Sequence, residues 1–132
     1  MGKLLERLSD PARSGVYRVT RADEVRAALR GAGLALARVD LSQPVFEAFA
    51  GALDFPDWFG GNWDALEDCL TDLSWRNAPG HVLLLEGGED IGMLRDVLAS
   101  AAQFWAGQGR PFFALFVDPH RRLRLEDLFR ET

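Results

Sequence analysis

Val82-Leu83-Leu84-Leu85 is an unbroken apolar run with Pro79-Gly80 before it and Glu86-Gly87-Gly88 after it. A strand with one wet face alternates apolar and polar residues, whereas a strand covered on both faces does not. The run therefore reads as an interior strand. Phe112-Phe113-Ala114-Leu115-Phe116-Val117 repeats the pattern. Between the two, apolar residues recur at helical spacing, predicting a helix over about 91–106 with Met93, Leu94, Val97, Leu98, Ala101 and Trp105 turned inward. Strand, helix and strand in this order imply a right-handed crossover and parallel pairing.

The same logic extends upstream. Residues 35–41 alternate, with Ala37, Val39 and Leu41 on one face of a half-buried strand. Ser42 and Pro44 are read as starting a helix to about Leu53 that buries Val45, Phe46, Phe49 and Leu53. Val16-Tyr17-Arg18-Val19 reads as a short strand, and Thr20 as the cap of a helix over about 22–31 that Gly31 and Gly33 end. Residues 1–14 read as a loosely held amphipathic arm. The tail, Arg121–Thr132, fits either an edge strand through Leu123 and Leu125 or a last helical turn. The expected fold is α/β, a small three- to four-stranded, mainly parallel sheet with helices packed on it.

A chain of 132 residues suits one domain with a single core, and 48% hydrophobic with 27% charged residues is ordinary globular composition. No run approaches the ~18 apolar residues of a membrane span. The first seven residues lack the apolar core of a signal peptide. Cys69 is the single cysteine and sits beside a leucine stripe, so it reads as a small core residue. These features point to the cytoplasm. The net charge of −5 is regional: residues 39–75 hold eight acids and no Lys or Arg, leaving 12 acids against 15 bases elsewhere. Such a surface repels nucleic acid and attracts basic proteins.

The acidic centre is Trp58-Phe59-Gly60-Gly61-Asn62-Trp63-Asp64-Ala65-Leu66-Glu67-Asp68-Cys69-Leu70-Thr71-Asp72-Leu73. It reads as a tight turn, a helix cap at Asn62, and a helix. At about 100° per residue, Leu66, Leu70 and Leu73 share one face, while Asp64, Asp68 and Thr71 share the other with Glu67 and Asp72 at its edges. Asp64–Asp68 and Asp68–Asp72 are like-charge pairs at i,i+4, each destabilising by roughly 0.2–0.5 kcal/mol. A solvated helix face with no partner is the plainer reading. The repulsion and the lack of nearby bases argue instead for a cationic partner. Trp58 and Phe59 read either as core plugs or as contacts. Gly60 and Gly61 allow a tight or positive-φ turn.

Phe55-Pro56-Asp57-Trp58-Phe59-Gly60-Gly61-Asn62-Trp63-Asp64-Ala65-Leu66-Glu67-Asp68-Cys69-Leu70-Thr71 resembles the binding segment of the barstar family, intracellular inhibitors of barnase-type ribonucleases. The specific part is aromatic-aromatic-Gly-x-Asn-x-Asp-Ala-Leu-x-Asp-Cys-Leu-Thr. The resemblance covers about residues 34–118, with residues 1–33 as a strand-helix extension and 119–132 as a tail. It implies that Asp64 and Asp68 enter the nuclease's phosphate-binding site, Asp68 most deeply. It further implies that Thr71 hydrogen-bonds on the same face, that Trp58 packs on the enzyme's catalytic histidine, and that Gly60 belongs to the contacting loop. Gly61, Asn62, Glu67 and Asp72 complete the candidate partner-binding set. Glu67 stands where barstar has an aromatic, Leu73 where it has a tryptophan, and Gln103-Phe104-Trp105 lacks the peripheral acid of its third helix. The implied partner is a basic ribonuclease or related toxin protein, with no cofactor, metal, membrane or direct nucleic-acid contact, and no enzyme activity.

Two other readings stand beside it. The acidic helix could serve as an immunity protein for a different basic toxin or host protein. Alternatively, Asp40, Glu86 and Asp118, all at strand carboxyl ends, could hold Mg²⁺ for phosphoryl chemistry. The same residue types are common strand terminators. His81 and His120 are isolated, and no P-loop, GxSxG, GxGxxG, CxxC or HExxH occurs.

Overall fold

A computed structural model describes residues 2–128. In chain order it has α1 (Lys3–Leu8), a 3₁₀ turn (Pro11–Arg13), β1 (Gly15–Val19), α2 (Ala22–Leu29), β2 (Ala35–Asp40), α3 (Val45–Leu53), α4 (Trp63–Asp72), β3 (His81–Glu86), α5 (Gly92–Gly107) and β4 (Phe112–Val117). The four strands form one sheet in the order β1-β4-β3-β2, every pair parallel. The expected α/β architecture is present. No helix of the described residues is long and apolar enough to cross a membrane.

The unbroken apolar runs have a direct explanation in the two faces of this sheet. Leu83, Leu85, Phe112, Ala114 and Phe116 join Ala37 and Val39 in a core roofed by α3, α4 and α5. Val82, Leu84, Phe113 and Leu115 point the other way, into a second core with Leu8 of α1 and Val25 and Leu29 of α2. The chain crosses from one edge of the sheet to the other through α2, then returns through the remaining helices. Connections running in opposite directions must use opposite faces if both have the same hand. Two cores therefore follow from one topology.

Several local expectations are corrected. Residues 2–14 are not a loose arm: Leu8 is fully buried, and Leu4 and Leu5 pack against the second core. Thr20 does not cap α2; Arg21 holds that position without a side-chain cap, and the helix stops at Leu29. Ser42 does not cap α3. Its N–H and Oγ both donate to Asp40 Oδ1, at 3.0 and 2.6 Å, and Pro44 takes the cap position. Met93 is 55% exposed rather than inward, because Ile91 closes the buried stripe at the start of α5. Over its described residues, 121–128, the tail forms neither a strand through Leu123 and Leu125 nor a helical turn; residues 129–132 lie outside the described residues. It pairs with the outer edge of β1 at Asp127, where Arg18 N–H donates to Glu126 O and Leu128 N–H to Arg18 O.

His81 opens β3 and is 2% exposed, between the rings of Trp105 and Phe112 at 5.8 and 6.5 Å. Burial, reinforced by Arg76 and Arg110, pushes its pKa down to about 4 from 6.5. An unfolded chain thus takes up this proton from pH 6.5 downward, while the folded chain refuses it until about pH 4. Stability should be complete above pH 6.5 and fall by about 2–3 kcal/mol between pH 6.5 and 4. Urea titrations across that window test this, and the slope should largely vanish in His81→Leu.

Candidate functional site

The loop before α4 is built on an aromatic base. α3 ends in the left-handed residue Asp54, and Phe55 N–H returns to Ala50 O at 3.0 Å. Phe59 N–H then closes a turn onto Pro56 O at 3.0 Å. The Phe55 and Phe59 rings meet edge to face at 4.8 Å, and Phe46 bridges Phe59 to Trp63. Trp75 meets Phe55 edge to face at 6.1 Å and ties its indole N–H to Leu53 O at 2.8 Å. With both ends of the turn pinned, Trp58 at its tip is left 62% exposed. Trp58 is no core plug, whereas Phe59 is.

Gly61 has φ +68°, a left-handed conformation that costs a side-chain-bearing residue about 1 kcal/mol or more. Gly60 has no such need; a Cβ there would meet Ala65 and Asn62 at an ordinary 3.6 Å. Asn62 Oδ1 accepts from Ala65 N–H at 2.8 Å and so caps α4. This bond stabilises the helix by about 1 kcal/mol.

α4 is anchored by Leu66, Cys69 and Leu70, all buried, and by Leu73 at its left-handed end. Burial, with Asp72 and Asp68 nearby, pushes the Cys69 thiol pKa up, which suits an unreactive core residue. Trp105 donates its indole N–H to Leu70 O at 2.7 Å, locking α5 against α4. The partly buried Thr71 donates its hydroxyl to Glu67 O at 2.9 Å, leaving that oxygen's lone pairs for another donor. Glu67 is half-buried at the α4–α5 seam, where Oε2 accepts from Ser100 Oγ at 3.1 Å. The sequence gives no hint of that tether.

Asp64, Asp68 and Asp72 are exposed along α4, and Asp57 is exposed beside Trp58. Among the described residues none of these four is in an ion pair. Arg76, the first base after the acidic run, reaches back to Asp54 at 3.3 Å instead. Asp64 and Asp68 lie one helical turn apart, Cβ atoms about 6 Å from each other. That spacing lets two carboxylates engage one cluster of cations.

Asp40, Glu86 and Asp118 do not assemble. Asp40 is occupied by Ser42, which holds its carboxyl below the ordinary range. Glu86 pairs with Arg38 at 2.8 Å and Arg26 at 3.8 Å. Asp118 is buried. Burial pushes its carboxyl up, but the Leu123 and Arg122 N–H groups and Arg18 outweigh that and hold it low. Each carboxylate serves its own loop, and no group of three possible metal-ligating residues occurs among the described residues. This corrects the metal-enzyme reading.

A family model described as "Barstar (barnase inhibitor)" matches residues 31–117. That span holds β2, β3, β4, α3, the aromatic loop, α4 and α5, and leaves β1, α1, α2 and the tail outside. No curated protein matches the chain.

Proposed function

The chain belongs to the barstar family, and from that premise we propose that it is an intracellular inhibitor of a barnase-type ribonuclease, occluding the enzyme's active site with α4 and the preceding loop. The observation that carries this reading is the pair of exposed carboxylates, Asp64 and Asp68, unneutralised on a capped and packed helix. A carboxylate offers two acceptor oxygens to an arginine fork much as phosphate does. Asp68 and Asp64 would thus occupy the cations that otherwise hold RNA. Thr71 accepts at the edge of that cluster, and Trp58 packs on the catalytic histidine. Gly60 and Gly61 shape the loop, Asn62 holds the helix start, and Asp72 adds field. Glu67 contributes least, being tied to Ser100. No loop of this face has to order on binding, which lowers the entropic cost. The acidic face repels RNA itself, so the inhibitor meets the enzyme rather than its substrate. Residues 1–132 act in this reading as one domain located in the cytoplasm.

Titrating the protein into a barnase-type ribonuclease that is cleaving RNA should abolish activity at a one-to-one ratio. Full activity in the presence of excess protein rejects the reading. The departures at Glu67 and at Gln103-Phe104-Trp105 favour one alternative, a different basic toxin or host protein as target. Co-purification with a small basic protein that lacks nuclease activity would select it.

A further inference from the structure

The two chain ends outside the family match fold against each other. β1 pairs with β4, the tail pairs with β1, and Arg7 Nη1 donates to Leu128 O at 3.0 Å. Between them lies a crevice of about 340 Å³, and every residue lining it precedes residue 31 or follows residue 117. This is at the small end of the range for small-molecule sites. It opens beside the carboxyl end of β1, the one strand whose connection runs to the α1–α2 layer.

Leu4 and Val19 supply its accessible apolar wall, with Val25 and Leu128 buried behind them. The mouth carries Arg21 and Arg121, whose side chains are 64% and 58% exposed. The ion pairs of Arg21 with Asp23 and Glu24 are long, at 3.5 and 3.8 Å, and solvent-exposed, so exchanging them for a ligand costs little. Arg121 shares Asp127 with Arg18, which already holds that carboxylate at 2.8 Å. Arg18 is satisfied inward by Asp118 and Asp127, so the cations that face a ligand are Arg21 and Arg121. We propose that this crevice binds a small organic monocarboxylate, its charge forked by Arg21 and Arg121 and its apolar body against Leu4 and Val19. The site belongs to the extension and tail, not to the inhibitory helix.

Calorimetry on the full chain with phenylacetate tests this, with 2-phenylethanol as the neutral counterpart. Saturable phenylacetate binding is expected at millimolar concentrations or below, with the alcohol at least about ten-fold weaker. Arg21→Gln, at an exposed position, should weaken phenylacetate by about ten-fold while leaving the melting temperature and ribonuclease inhibition unchanged. Amide shifts on binding should map to residues 19–25 and 121–128. No saturable binding, equal binding of the alcohol, or shifts confined to other residues would each overturn the proposal.

Discussion

Replacing Asp68 by alanine is expected to weaken binding to a barnase-type ribonuclease by about 2–5 kcal/mol, a factor of roughly thirty to several thousand, in a range for which the barnase–barstar complex is itself a type case. Most of that loss would come from enzyme cations left buried and unpaired, so it should appear in the dissociation rate. Asp64→Ala should act in the same direction. Raised salt should slow association of the native protein, since the acidic face steers encounter. Stability supplies the control. Asp68 repels Asp64 and Asp72 at i,i+4, so its removal should leave the fold as stable or a few tenths of a kcal/mol more so. A loss of affinity with an unchanged unfolding midpoint therefore reports the interface. Unchanged affinity in Asp68→Ala would reject this mechanism even if the two proteins bind.

What could be read from the chain alone followed how local the determining physics is. β3 and β4 were legible because helices on both faces force apolar residues at every position, and the alternation of Leu83 and Leu85 against Val82 and Leu84 then divides the cores. The cap at Asn62 was legible because its partner, Ala65, is three residues away. The candidate site is likewise nearly contiguous, so Asp64, Asp68 and Trp58 could be named from one segment. Non-local choices were not legible. Leu4, Leu5 and Leu8 form a readable apolar stripe, but the core they join with α2 is completed by β3, β4 and Leu128, far along the chain. Thr20 and Ser42 have capping chemistry, yet Ser42 is drawn to Asp40 and α2 begins uncapped. Glu67 lies at the edge of the acidic face on a helical wheel, and only the approach of α5 turns it to Ser100. Arg18 shares a strand face with Val16, a period-two signal that it lies in a buried row, but its partners stand more than 100 residues later.

That arginine is the place where a single change should disturb the fold most. Arg18 is buried, and its guanidinium donates to Leu123 O at 2.5 Å, Leu125 O at 2.7 Å, Asp127 Oδ1 at 2.8 Å and Asp118 Oδ2 at 3.4 Å. Arg18→Met keeps the stem but leaves Asp118 buried beside two uncapped carbonyls, a change expected to cost about 3–5 kcal/mol. Against a typical total of roughly 5–15 kcal/mol, that is a large fraction. Arg18→Lys should rescue little, because one ammonium cannot reproduce a planar fork spread over four acceptors. The acid limb of the stability curve offers a second readout. Asp127 is held low first by its bond from Arg18, and Asp118 by amide N–H groups together with Arg18 against the opposing effect of burial. Groups with depressed folded pKa values add stability above the ordinary carboxylate range and lose it as pH falls through the folded value. In Arg18→Met this loss on acidification should shrink, since the variant has already given up the interaction. Loss of the tail should also bare the outer edge of β1 and favour self-association, visible by sedimentation. A fall in unfolding free energy below about 1 kcal/mol, with the acid limb unchanged, would show that the tail is held by its backbone pairing to β1 and not by Arg18.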